Sequence, residues 1–487
     1  MSRSDHALTE ATVGGSLRSG SIGVGHIVFF VVSAAAPLSG VVLGVPVIIG
    51  LGNGVGAAGD FIISALILLL FSIGYTAMSR QIVNAGGFYT FIAQGLGRAA
   101  VLGAATFAIF SYTAIQAGMF GALGGYVNPL VKQNLSVNIS WWIYALLGVT
   151  VCWLLGVRQV HLGATVLGIM LVLETSLILV LDAVIFVSGG ASGGGPTALS
   201  WEPFDPKSIF AGAIGIAMVF AYTSFIGFEA TVIYGEEAIE PRRTVPRATY
   251  IALVTMGVFY AASTWLIINS IGIEEVVAIA RRDPGNFAAT SIKQFLGGTA
   301  VNIMDLLIVT SIFAAVLAFH NTIARYLYAL GRQGQLWSAL GKTHPERQSP
   351  HVACAVQAVS AAVIVVAFAI AGAPPYTGLY VWATGIGAIC IILLQAVASV
   401  AVFAYFRKSA VDNRPWHTLV APALSVLALM SLAGISLSNF SLLVGDPGTL
   451  AISALAALPL IAALLGVGRA LWLRTHRPAE YAKIGAV

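Results

Sequence analysis

The sequence predicts an all-α integral membrane protein of twelve transmembrane helices, and three observations carry that prediction. Of its 487 residues, 58% are hydrophobic and 9% charged, whereas roughly a quarter of the residues in a soluble domain are charged. Apolar stretches long enough to cross about 30 Å of hydrocarbon, which takes around 20 helical residues, recur along the whole chain. Two of these stretches, the first and the sixth, carry polar and helix-breaking residues where a bilayer is driest.

The spans read as 22–49, 60–79, 100–128, 141–157, 163–187, 207–235, 247–270, 302–328, 351–372, 377–406, 417–438 and 449–473. Lys and Arg are retained on the cytoplasmic side of short loops. With the N-terminus inside, 19 of the 24 basic residues fall on the inner side, leaving Lys132, Lys207, Arg281, Arg282 and Lys293 outside. An even number of crossings with both termini cytoplasmic follows, and the net charge of +5 reports topology, not nucleic-acid binding. The first twenty residues hold no short apolar core with a small-residue cleavage site, so no removable signal peptide is expected.

Several chemical motifs fail on inspection. "GASGG" at 190–194 fits G-x-S-x-G but lies in a glycine-rich loop and not on a strand-to-helix turn. "GKT" at 341–343 lacks the first glycine of a phosphate loop, because Leu336 stands there. The eight histidines show no His-x-x-x-His spacing, and Cys152, Cys354 and Cys390 show no paired spacing. Neither a metal, nor a cofactor, nor an enzyme activity is expected.

Span 1 contains "SAAAPLSG" from Ser33 to Gly40. Pro37 cannot donate a hydrogen bond and its ring crowds the preceding turn, while Gly40 favours non-helical geometry. In hydrocarbon a helix breaks only where it is buried in protein or lines a hydrated cavity. A break near Ala34–Ser39 is expected, although a continuous helix with a proline kink capped by Ser33 fits the same residues. Span 6 is the second interruption: "AYTSFIGFEATVIYGEE" gathers Tyr222, Thr223, Ser224, Gly227 and Glu229 within apolar sequence. The two spans are five apart. If spans 1–5 and 6–10 are structural repeats, the odd repeat length inverts the second, and the two breaks face each other near the midplane.

The chain resembles the amino acid/polyamine/organocation (APC) transporters along nearly its whole length. The resemblance is carried by "SFIGFEATVIYGEEAIEPRRTVPRA" from Ser224 to Ala248, "NAGGFYTFIAQGLGR" at 84–98 and "NTIARYLYALGRQGQLW" at 321–337. Val83 stands where the second segment often has proline. The resemblance implies a LeuT-like fold: a five-plus-five inverted repeat with discontinuous helices 1 and 6 and two peripheral helices. The expected organisation is a cytoplasmic tail (1–20), a first repeat (21–190), an extracellular loop (191–206), a second repeat (207–408), spans 11 and 12 (409–474) and a cytoplasmic tail (475–487). One departure matters. Amino-acid-selective members often carry a Gly-Ser-Gly type sequence in helix 1, where this chain has Ala34, Ala35, Ala36, Pro37 and Leu38. Amides before Pro37 can still receive a carboxylate, but an amine or other organocation becomes a serious possibility.

Ionised side chains at the bilayer centre cost roughly 3 kcal/mol even on lenient scales. Glu174 in span 5 and Glu229 at the break in span 6 are therefore the proton-coupling candidates. By resemblance, Glu174 falls close to a position where some proton-coupled relatives carry lysine, and Glu229 matches a glutamate common in the family. Asp182, Asp60 and Asp305 read as interfacial. Glu236 and Glu237 precede the inner basic loop and are expected to close an inner gate on Arg242, Arg243 or Arg247. The substrate-binding candidates are Ser33, Ala34, Ala35, Ala36, Pro37, Tyr112, Gln116, Tyr222, Thr223, Ser224, Phe225 and Gly227. Tyr112 and Gln116 are one turn apart, and Tyr222 or Phe225 would act as an aromatic gate with cation–π attraction for a cationic cargo. Thr310 and Ser311 sit where the resemblance implies hydroxyl ligands of a sodium site.

The expectation is a multi-pass transporter of the plasma (inner) membrane. It would import an amino acid or related amine or organocation by alternating access, coupled to protons in preference to sodium. An obligate exchanger of the same fold and a non-transporting nutrient sensor remain open.

Overall fold

The computed structural model describes residues 22–82, 87–158, 164–347, 349–409, 411–444 and 449–485. The tail 1–20 with Arg3 and Arg18, Val83, Gly163, the side chain of Glu236 and the last two residues lie outside them. Among the described residues eleven helices are long and apolar enough to cross a membrane. The difference from twelve lies in span 6, which is divided into α7 (Ile214–Thr223) and α8 (Ala230–Ile233), both too short to count as a crossing. The chain is a multi-pass, all-α membrane protein.

In chain order the remaining helices are α1 (Val24–Ala35), α2 (Ala57–Gln81), α3 (Gly87–Leu96), α4 (Arg98–Leu135), α5 (Trp141–Arg158) and α6 (Ala164–Ser188). After α8 come α9 (Pro241–Ile271), α10 (Val276–Arg282), α11 (Phe287–Leu296), α12 (Gly298–Arg332), α13 (His351–Ile370), α14 (Val381–Lys408), α15 (Ala421–Ser438) and α16 (Thr449–His476). The stretch between Gly272 and α12 folds into α10 and α11.

Lipid tails are as apolar as leucine, so spans associate by close packing of small side chains and by buried hydrogen bonds. The α4 helix lies at the centre, against α12, α14 and α16, while α2 pairs with α9. The α14 span is the most enclosed, and α5, α13 and α16 turn most of their surface to lipid.

Span 1 does not run straight. Beyond Ala36 the chain resumes at Pro37 and winds through two π-helical turns, Gly40–Gly44 and Ile48–Gly52. A π turn leaves carbonyls without their usual partners, and neighbouring elements meet them. The Tyr376 hydroxyl donates to the Leu43 carbonyl (2.5 Å) from the π turn Pro375–Tyr380 at the head of α14. The Arg281 Nε donates to the Gly50 carbonyl (2.8 Å) from α10, and the Ala213 amide donates to the Gly52 carbonyl (3.1 Å). The crooked half of span 1 is therefore held by α10, by the entry to α7 and by α14.

Candidate functional site

The first break is local in origin. Ala36 ends α1 in the left-handed region (φ 48°, ψ 72°), and its amide donates to the Ser33 carbonyl (3.2 Å). Pro37 then opens the next turn, where its missing N–H costs nothing. A left-handed alanine costs about 1–2 kcal/mol, so the surroundings must impose it. One constraint lies at Gly40, just beyond the break: a Cβ there would lie 2.6 Å from Cε1 of Tyr260, a buried ring stacked on Phe61. The helix passes α9 only where the side chain is a hydrogen.

In the second break the amides of Phe225, Ile226 and Phe228 donate to carbonyls three residues back, at 3.1, 3.0 and 3.2 Å. Gly227 has φ 115°, open to glycine and strained for other residues. The carboxylate of Glu229 clamps this turn: Oε2 accepts from the Gly227 amide (2.9 Å) and Oε1 from the Tyr112 hydroxyl (3.0 Å). The Tyr75 hydroxyl donates to the Glu229 carbonyl (3.2 Å).

Two cavities lie between the breaks. The first, of about 50 Å³, is lined by Ala34, Ala35, Ala36, Ser39, Thr223 and Ser224 and is closed by Phe220, Phe319 and Tyr380. The second, of about 110 Å³, is lined by Ala34, Tyr112, Gly227, Glu229 and Tyr326. Ala34, Ile226, Ala315 and Phe319 border both.

Beside the first cavity lies a buried polar chain. The Ser39 hydroxyl donates to the Ser311 hydroxyl (3.0 Å), and Ser311 donates to Oε2 of Glu174 (3.0 Å). The Leu38 amide also faces the Glu174 carboxyl. A carboxylate on α6 thus caps the restarted half of span 1 and ties it to α12.

Other sequence candidates fall elsewhere. Ser33 donates to the Phe29 carbonyl (2.8 Å), and Pro37 is buried. Since the Ala36 amide is taken by Ser33, it is not free for a substrate carboxylate. Gln116 is one turn from Tyr112 but away from the cavity, donating to the Val316 carbonyl (2.8 Å) and accepting from Gln357. Tyr222 donates to Gln395, and Phe225 is buried against Phe61 and Tyr260. Neither lines the cavities; Phe220, Phe319 and Tyr380 are the aromatic walls of the first and Tyr75, Phe88, Tyr112, Phe319 and Tyr326 those of the second. Thr310 donates within its own helix to the Leu307 carbonyl (2.9 Å) and faces an apolar groove between α5, α6 and α12. Its neighbour Ser311 is engaged by Ser39 and Glu174 instead.

Two carboxylates expected at the interface are buried. Asp182 accepts from the Ser263 hydroxyl of α9 (2.6 Å), and Asp60 lies against Asn53, because both occupy faces turned into the bundle. Among the described residues no group of three His, Cys, Asp or Glu side chains is arranged for a metal.

The ion pairs expected of an inner gate are placed differently. Among the described residues no ion pair joins Glu237 to Arg242 or Arg243; Arg243 pairs with Glu240 (3.3 Å) in an exposed position. The helix starts at Pro241, and its first turn points Arg242 and Arg243 into water. The contact near Glu237 is a two-bond bridge: the Ile22 amide donates to the Glu237 carbonyl (3.1 Å) and the Ile239 amide to the Ile22 carbonyl (2.9 Å). An exposed pair such as Arg243–Glu240 contributes about 0–1 kcal/mol. Arg243→Ala is expected to leave the melting temperature of the purified protein unchanged within about 2 °C, which thermal unfolding checks.

Small polar-edged cavities at breaks in two spans, inside a bundle otherwise facing lipid, define a carrier of small solutes. The sequence profile described as amino acid permease matches residues 29–464, and the chain belongs to that family. It is 22% identical to the branched-chain amino acid permease BcaP of Bacillus subtilis, over 64% of this chain and 69% of that protein. It is also 22% identical to the low-affinity putrescine importer PlaP of Escherichia coli, over 59% of this chain and 62% of that protein. In fold it is similar to a manganese transporter of Eremococcus coleocola, with a TM-score of 0.56 and 15% identity over 98% of this chain and 99% of that one. The resemblance read from the sequence is thereby established. The chain is a secondary transporter of small polar solutes and not an enzyme.

Proposed function

We propose that the protein imports an amino acid or a related amine by proton symport with alternating access, in the plasma (inner) membrane, with both termini cytoplasmic. The reading takes residues 21–190 and 207–408 as inverted repeats of a twelve-span, LeuT-like fold. In it α7 and α8 together make the sixth crossing and 409–474 the two peripheral ones. The breaks at Ala36 and at 224–229 support it, since they fall in spans five apart and border common cavities.

The substrate sits in the first cavity, between Ala34–Ala36 and Thr223–Ser224. Its polar end meets Ser39, Thr223 and Ser224, and its apolar part meets Phe220, Phe319 and Tyr380. The cavity's size favours a compact cargo. Similarity to a branched-chain amino acid permease and to a putrescine importer fits both an amino acid and an amine.

The observation that carries the coupling assignment is the chain from Ser39 through Ser311 to Glu174. The three ion pairs among the described residues leave Glu174 without a cationic partner, and an unpaired carboxylate at this depth is costly. Ionised, it accepts from Ser311 and the Leu38 amide and pins the outer half of span 1 to α6 and α12. Protonated, it loses acceptor strength and releases that half, which biases the alternation. A proton is taken in preference to sodium because the Ser311 hydroxyl already donates to Glu174 and the Thr310 hydroxyl to the Leu307 carbonyl.

Glu229 is the second coupling candidate. Its Oε2 holds the α7–α8 turn through the Gly227 amide and its Oε1 accepts from Tyr112 of α4, so its protonation would loosen the floor of the substrate site. Tyr112→Phe removes one charge-assisted hydrogen bond, a loss of about 1.5 kcal/mol or more. Initial uptake is expected to fall about tenfold with the melting temperature nearly unchanged.

The test is uptake into proteoliposomes of the amino acid or amine that best stabilises the purified protein, with and without an inward proton gradient. Gradient-dependent accumulation supports symport. A requirement for internal substrate with indifference to pH would identify an exchanger, and ligand binding without flux a sensor.

A further inference from the structure

At the basic end of α16, away from the substrate cavities, lies an open cavity of about 380 Å³. It is bordered by Gln335, Trp337, Arg469, Arg477 and Glu480. Its depth can be read from α16. Leu458, Ile461 and Leu465 form a lipid-exposed stripe at three- and four-residue spacing, and the same face continues into Arg469 and Trp472. Trp337 and Trp472 are both exposed where the apolar stripe ends, as indole rings are at the headgroup level. The cavity therefore sits at the level of phospholipid headgroups, directly below a track for an acyl chain.

Its chemistry has two signs. Arg469 is held in place by Nε donating to the Gln335 carbonyl (3.1 Å) and by stacking 4.4 Å from the Trp472 ring. Its terminal nitrogens make no hydrogen bond among the described residues and are available to an anion. Arg477 lies 5.8 Å from the same ring and donates to Oε1 of Glu480 (3.0 Å). The other oxygen of Glu480 is buried and has no partner among the described residues. A lone anion would satisfy the guanidinium groups and be repelled by that oxygen. The complement to the whole set is a ligand with a phosphate and, a few ångströms away, a cationic N–H donor.

We infer that this cavity binds the phosphoethanolamine headgroup of a membrane phospholipid. Arg469 and Arg477 hold the phosphate, Glu480 takes the ammonium, and an acyl chain lies along Leu458, Ile461 and Leu465. Guanidinium groups suit phosphate through their planar fork of donors, and basic pockets between spans at this depth are recurrent lipid sites. The inference is independent of the solute carried and of its coupling ion.

Native mass spectrometry of the full chain, released from nanodiscs of equal phosphatidylethanolamine and phosphatidylglycerol, tests it. Wild type should retain the ethanolamine lipid at least fivefold over the glycerol lipid. The double variant Arg469→Gln/Arg477→Gln should lose about tenfold of that retention. Glu480→Gln should keep lipid but lose the preference, and matched melting temperatures would exclude misfolding. Equal retention of both lipids by wild type, or unchanged retention by the double variant, would overturn the assignment. O-phosphoethanolamine without acyl chains separates the two sources of this chemistry: if it stabilises the protein as strongly as the lipid does, the ligand is soluble and the lipid assignment fails.

Discussion

Glu174→Gln is expected to abolish accumulation of substrate driven by a proton gradient, while entry down a substrate gradient persists. One pH unit is worth about 1.4 kcal/mol and each 100 mV of potential about 2.3 kcal/mol per charge. A one-proton symporter of a neutral solute can thus concentrate its cargo up to roughly tenfold on the first alone and several hundredfold on both. Glutamine keeps the size of the side chain and can still accept from Ser311 and the Leu38 amide, so the tie between α6, span 1 and α12 survives. It cannot change charge. The variant should bring internal substrate only to the external concentration, with exchange of internal for external substrate retained. Accumulation equal to wild type would remove Glu174 from the coupling step and leave Glu229 as the candidate.

Gly227→Ala should be the most damaging single-methyl change at the site. Gly227 sits at φ 115°, where an L-residue costs roughly 1–3 kcal/mol, and its amide is one of the two donors that hold the Glu229 carboxylate. The added Cβ would meet Ala34 at 3.4 Å, an ordinary contact, so the penalty is conformational and not a collision. Relief of the strain requires the turn to rotate, which withdraws the amide from Glu229 and reshapes the wall of the second cavity. Uptake is expected to fall by about a hundredfold or more, with the protein still folded and its melting temperature lowered by only a few degrees. Transport near the wild-type rate would mean that the turn does not take part in the cycle.

Much of the architecture was legible in the sequence because lipid imposes a simple rule: a crossing must be long, apolar and helical. The breaks were legible for the same reason, as Pro37 and Gly227 stand where that rule is violated. What the sequence could not convey is which side of each helix faces inward. Tyr222 and Phe225 lie on a broken helix, yet they pack outward against Gln395, Phe61 and Tyr260. Of the rings on the first cavity, Phe220 comes from the broken helix itself, while Phe319 and Tyr380 come from helices read as plain apolar spans. Phe319 is one turn from Ala315, which also borders the cavity, so a face-by-face reading of α12 finds it only with a known anchor. Ser39 was missed as a partner of Ser311 because the two are 272 residues apart. The ion pair at Glu237 is expected from charge alone, but the contact there joins backbone groups of Ile22, Glu237 and Ile239, which any sequence could supply.

The central claim is that cargo occupies the cavity between the two breaks, and Ala34, which borders both cavities, reports on it most directly. The three native cysteines are buried, so a thiol reagent should single out Ala34→Cys. The amino acid or amine that is transported should slow this labelling, with half-protection at its half-saturating concentration for uptake. Val309→Cys, in the groove between α5, α6 and α12, should show no such protection. Labelling at position 34 that ignores saturating substrate, in a variant that still transports, would contradict the account.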